Sequence, residues 1–139
     1  MNPEQIQLVQ RSAVALLGQA DTWSTNFYGA LFREHPDLRS MFPADMTAQR
    51  GKFVAEIAAL LELIGNLDEF EDRASQLGAD HVGYGVRAVH YRATSEALVT
   101  SISETLGRDA TPPMLEAWRA VHDLVAESMM SGRHRAATS

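Results

Sequence analysis

Apolar residues recur at steps of three and four along most of this 139-residue chain, and nowhere does a run of β-branched residues alternate with polar ones. A 3.6-residue period buries one stripe of a helix, so the pattern predicts an all-α fold in which helices cover one another. The punctuation between the periodic stretches marks six or seven helical segments. Asn2 and Pro3 supply a capping side chain and a first-turn proline for a helix whose inner face is Ile6, Val9, Ala13 and Leu17, with Gly18 at its end. A second helix, capped by Asp21 or Thr22, carries Trp23, Phe27, Tyr28, Leu31 and Phe32, a face wide enough for two neighbours. It stops at His35-Pro36, because the residue before a proline is pushed out of the α region. One or two helical turns fill Pro36 to Phe42 before Pro43.

A longer helix is expected from about Asp45 to Ile64, with Phe53, Ile57, Leu60, Leu61 and Ile64 on one face and Gly65-Asn66 at its close. The next segment sets Phe70, Ala74, Leu77 and His81 at steps of four, three and four, which turns a histidine toward the interior. Gly83-Tyr84-Gly85 then breaks the helical pattern. Two further helices are expected, about Arg87 to Leu106 ended by Gly107, and about Pro112 to Met130 carrying Leu115, Trp118, Val121, Val125 and Met129. Residues 133–139 are polar and unpatterned, a tail expected to fray. Unequal helix lengths and proline-marked corners favour an irregular helical wrap over a straight four-helix bundle.

A length of 139 residues fits one domain and leaves no room for a second catalytic module, so residues 1–139 are expected to form a single unit with a folded core over about 3–130. A hydrophobic share of 45% fills such a core. Twelve Lys and Arg against eighteen Asp and Glu give a net charge of −6, which repels phosphate backbones and anionic lipid, so no nucleic-acid or membrane partner is expected. The absence of cysteine removes disulfides, thiolate metal sites and a thiol nucleophile, and fits a reducing compartment. The N-terminal residues lack the basic start and apolar run of an export signal, and no apolar stretch reaches bilayer length, so a cytoplasmic location is expected.

The five histidines, His35, His81, His90, His122 and His134, show no HExxH spacing, no serine has the glycine surroundings of a nucleophile elbow, and the glycines form no phosphate loop. The carboxylates Glu69, Glu71 and Asp72 read as a solvated face. His81 stands out. A histidine on an apolar stripe is most often a hydrogen-bonded core residue, yet one neutral imidazole also suffices to hold a large apolar cofactor whose metal brings four other ligands, as iron porphyrin does. Such a cofactor needs a wide dry slot, an aromatic wedge and a few polar groups on the opposite face. Phe42, Phe53, Tyr28 and Gln49 can supply these.

The ordered segments Asn26 to Phe32, His35 to Phe42, Gln49-Arg50, Ile64 to Leu67, His81 to Val86, His90-Tyr91 and Leu115 to Trp118 resemble the globin family. Within it the likeness is to bacterial single-domain haemoglobins and the haem domain of flavohaemoglobins, over about Pro3 to Met130. The resemblance implies a three-over-three helical sandwich around haem b, iron protoporphyrin IX. It implies His81 as the proximal iron ligand, its other ring nitrogen donating to the carbonyl of Leu77. Phe42 corresponds to the phenylalanine wedged on the porphyrin, and Leu77, Val86 and Tyr91 fall among the cofactor-binding positions. Tyr28 matches the distal tyrosine that donates to bound dioxygen and Gln49 the distal glutamine. Phe53 matches the residue capping the ligand pocket, where relatives often carry leucine.

The same resemblance implies binding of dioxygen, nitric oxide and carbon monoxide, hence oxygen transport or nitric oxide detoxification. Oxidation of nitric oxide to nitrate would take its electrons from a separate reductase, with the chain a monomer or homodimer. Tyr28, Gln49 and Tyr91 are the residues expected to act in that chemistry. The proximal side departs from the family pattern. Tyr91 lies ten residues after His81 as in flavohaemoglobins, but the glutamate expected fifteen residues after Trp118 is Arg133, with Glu127 on a different part of the helix and His122 where relatives carry tyrosine. A less anionic imidazole and a weaker peroxidase-like push follow. The competing readings are a gas sensor or interaction module acting through a partner protein, and a helical ligand-binding or scaffolding protein in which His81 only fills the core.

Overall fold

The computed structural model describes residues 1–82 and 88–138, with side chains for 1–77 and 90–129. Among these residues there are six α-helices and no strand. They are α1 (Pro3–Leu17), α2 (Ala20–Glu34), α3 (Thr47–Glu62), α4 (Leu67–Val82), α5 (Ala88–Leu106) and α6 (Pro112–Thr138). A 3₁₀ segment at Pro36–Met41 joins α2 to α3, and another at Gly107–Asp109 joins α5 to α6.

Local chemistry sets most of these ends. Asn2 Oδ1 accepts from the Gln5 amide at 2.8 Å while Gln5 Oε1 accepts from the Asn2 amide at 3.1 Å, a reciprocal cap that satisfies two otherwise orphaned donors of α1. Asn66 Oδ1 accepts from the Glu69 amide at the start of α4. Gly107 adopts φ of 57°, a left-handed conformation that disfavours side chains with a Cβ, and so ends α5 where the sequence places the stop.

The α3 helix, Thr47–Glu62, is two residues shorter at each end than the expected Asp45 to Ile64, and two boundaries elsewhere differ for identifiable reasons. The α2 helix starts at Ala20, ahead of Asp21 and Thr22, and its cap residue Gln19 contributes no side-chain bond. Burial decides this: Trp23 and Ser24 are fully inside the core, and the Trp23 amide already bonds the Gln19 carbonyl at 2.8 Å, so α2 begins as soon as the chain has turned at Gly18. Asp21 falls instead in the first turn, where its charge complements the helix dipole. The α6 helix continues to Thr138 where an end near Met130 and a frayed 133–139 were expected. The stretch holds arginine and alanine and no glycine or proline after Gly132, so propensity carries the backbone on. The break at Gly83-Tyr84-Gly85 lies outside the described residues.

The α2 helix packs mainly on α5, and α4 mainly on α6, with α1 crossing α6. Indole donors fasten the two largest core rings. Trp23 Nε1 donates to Ser101 Oγ at 3.1 Å and Trp118 Nε1 to Ser12 Oγ at 2.8 Å, joining α2 to α5 and α6 to α1. Each serine spends its own hydrogen on a carbonyl of its helix, leaving a lone pair for the indole. By contrast α3 packs on α2 and α1, touches α4 only lightly, and has a single fully buried residue, Leu60.

Candidate functional site

Tyr28 projects from α2 into an aromatic chamber and is 7% exposed. Its ring centroid lies 5.0 Å from Phe27, 5.7 Å from Phe42 and 5.8 Å from Phe53. Burial pushes its hydroxyl above the ordinary tyrosine pKa, opposed in part by the hydrogen bond from Gln49, so the phenol stays protonated at neutral pH. Gln49, in the first turn of α3, donates from Nε2 to Tyr28 Oη at 3.1 Å. The oxygen thus accepts, and its hydrogen is left to donate elsewhere.

Phe42 is half-buried and sits in extended backbone, φ −124° and ψ 154°, just past the 3₁₀ segment. Sequence reasoning missed the residue that holds it there. The Arg39 guanidinium donates to the carbonyls of Phe42, Pro43 and Ala44 at 3.3, 2.9 and 3.1 Å, and lies over the Phe32 ring at 5.1 Å. A lone arginine in a proline-bounded turn carries no spacing signal; three carbonyls left without helical partners after a 3₁₀ end were the clue available. Phe53 stacks on Phe27 at 4.3 Å and meets Trp23 edge-on at 5.4 Å, so it ties the chamber to the core as well as walling Tyr28.

His81 lies in the last turn of α4, next to the terminal Val82; its side chain, and Val86 altogether, lie outside the described residues. Leu77, one turn earlier, is buried. Tyr91 is buried in the first turn of α5. Its carbonyl accepts from Thr94 Oγ1 at 2.9 Å, and Thr94 Oγ1 is 2.9 Å from His122 Nε2 on α6. With the threonine hydrogen committed to the carbonyl, His122 donates from Nε2 and keeps Nδ1 as a lone pair, closed to solvent and without a hydrogen-bond partner among the described residues. Desolvation lowers the His122 pKa, which the nearby Asp123 carboxylate offsets in part. Glu69, Glu71 and Asp72 are exposed, as expected of a solvated face.

The globin family model matches residues 25–129. The chain belongs to the globin family. A flavohemoprotein of Bordetella pertussis is 30% identical over 98% of this chain and one of Deinococcus radiodurans is 31% identical over 94%. The chain spans about a third of the length of these curated relatives, 34% and 33%. Among solved structures, an engineered carbene transferase built on a candidate nitric oxide dioxygenase of Rhodothermus marinus superposes with a TM-score of 0.87 at 28% identity, covering 99% of this chain and 96% of that one. A bacterial globin of Campylobacter jejuni gives 0.86 at 20% identity over 99% and 100%, which bears on the fold alone. The fold is therefore the globin fold. No helix among the described residues is long and apolar enough to cross a membrane.

Family membership implies haem, and the described residues on the Tyr28 side fit one. The apolar face of α3, with Phe53, Ile57 and Leu61 only half-covered by protein, flanks the polar Tyr28–Gln49 pair, and Phe42 stands beside them. A flat apolar ring can cover that surface while the polar pair faces one side of it.

Proposed function

We propose that this globin, acting as one domain over residues 1–139, binds haem b through His81 and takes up dioxygen, nitric oxide and carbon monoxide at the ferrous iron, with nitric oxide oxidation to nitrate when a reductase supplies electrons. The observation that carries this reading is the Tyr28–Gln49 hydrogen bond at 3.1 Å inside a chamber walled by Phe27, Phe42 and Phe53. Likeness to flavohemoproteins and to a candidate nitric oxide dioxygenase supports the choice of gas and reaction. Bound haem supplies the iron that ligates the gas and exchanges electrons.

The protein's part is positioning and polarity. Gln49 occupies the acceptor side of Tyr28 and so aims the phenolic hydrogen at an incoming electron-rich atom. A neutral hydrogen bond of this kind is worth about 0.5–1.5 kcal/mol, roughly two- to tenfold in dissociation, and more where negative charge develops. The raised Tyr28 pKa keeps that donor protonated at neutral pH. Phe42 and Phe53 exclude water, which strengthens the bond by lowering the local dielectric. Leu77, Val86 and Tyr91 are assigned to the wall around His81, and Thr94, which bonds the Tyr91 backbone carbonyl, ties this turn of α5 to His122 on α6.

Titration of the protein with haemin should give a one-to-one complex with a Soret band; a colourless mixture would falsify the reading. Tyr28→Phe should accelerate dioxygen release from the ferrous complex by severalfold or more in stopped flow, and an unchanged rate removes the assigned role. Mixing the oxygenated protein with nitric oxide should yield nitrate in one turnover; its absence leaves gas binding without the oxidation.

A further inference from the structure

Outside the haem region, one cluster of metal-ligating side chains stands on the far end of α2. Glu34 closes α2, His35 follows it as the C-cap, and Glu96 approaches from α5, with one donor atom of each lying within 4.8 Å of the others. No other group of three such residues gathers among the described residues. Two details set it apart from an ordinary charged surface. His35 Nε2 is shut from solvent and makes no hydrogen bond, although the residue itself is part-exposed. The atom facing it, Glu96 Oε2, is 3.5 Å away. That is long for a nitrogen–oxygen hydrogen bond. It matches the roughly 3.3 Å that separates two donors sharing a tetrahedral ion with bonds of about 2.0 Å.

The surroundings favour a cation. Glu34 and Glu96 also line a surface cleft of about 290 Å³ together with Ser95, Val99, Thr100 and Arg119. Both carboxylates are exposed, so their side chains can turn inward by the ångström or so that coordination needs. Nearby guanidinium groups are engaged by other carboxylates, Arg33 by Glu104 at 3.1 Å and Arg119 by Glu116. One imidazole nitrogen with two carboxylates suits zinc and its first-row neighbours, whereas magnesium and calcium prefer oxygen alone. Three protein ligands leave a fourth position for water.

We propose that Glu34, His35 and Glu96 form a zinc-class divalent cation site that clasps the end of α2 to α5. The site is independent of haem. Calorimetric titration of the full chain with zinc chloride should show one equivalent bound at this site, with magnesium chloride giving none. His35→Gln, Glu96→Gln and Glu34→Gln should each weaken the zinc affinity at least tenfold. On the unsubstituted protein, nuclear magnetic resonance should show the His35 ring nitrogens shifting at one equivalent of zinc. Equal zinc affinity in all variants, or a response confined to the rings of His81, His90, His122 or His134, overturns the proposal, as does no binding at all.

Discussion

The α2 and α3 helices are of nearly equal length, fifteen and sixteen residues, and both carry an apolar stripe, yet they use it differently. Six residues of α2 are buried, Trp23, Ser24, Phe27, Tyr28, Ala30 and Leu31, whereas α3 buries only Leu60 and leaves Phe53, Ile57 and Leu61 half-covered. Sequence period does not separate the cases, because an apolar stripe looks the same whether protein or a cofactor covers it. The contrast teaches that α2 is held by the chain itself, while α3 is left with apolar surface to bury against something else.

The contrast can be broken by substitution. Trp23→Ala removes a fully buried indole and its bond to Ser101, and should cost about 3–5 kcal/mol in urea unfolding whether or not haemin is present. Ile57→Ala should cost less, about 1–2 kcal/mol, in the haemin-free protein because the side chain is half-buried, and clearly more once haemin is added. Equal costs in the two states would mean that α3 is covered by the chain after all. Gly107→Ala, in the turn that ends α5, forces a side chain into the left-handed region and should cost about 1 kcal/mol with and without haemin.

The smallest expected effect comes from pH. His122 has its folded pKa lowered by desolvation, so protonation is easier in the unfolded chain. Stability is therefore full above the unfolded value of about 6.5 and falls as pH drops below it. His122→Leu should flatten the stability profile between about pH 6.5 and 5, and an unchanged slope would show that another group titrates there.

Much of this architecture was legible because its punctuation is local. Pro3, Pro36, Gly107 and Pro112 act through backbone chemistry within a turn, and the helix boundaries at those residues follow the sequence closely. The start of α2 was not legible, since burial of Trp23 overrode the capping preference of Asp21 and Thr22, a tertiary effect without a sequence mark. In the site, the globin resemblance implied one pocket for Tyr28, Phe42, Gln49 and Phe53, and the structure brings these four side chains together. The Arg39 clamp and the Thr94–His122 bond were hidden, because which carbonyl or hydroxyl a side chain meets depends on geometry that period cannot encode.

The ring of Trp23 touches Phe53 edge-on, and Phe53 in turn walls Tyr28, so one of the molecule's two indoles sits a single ring away from the chamber. The second, Trp118, is 5.8 Å from the first. This pairing makes the protein its own optical gauge: light absorbed by either indole can pass to a pigment entering beside α3, and the ultraviolet emission should dim as loading proceeds, without any attached dye.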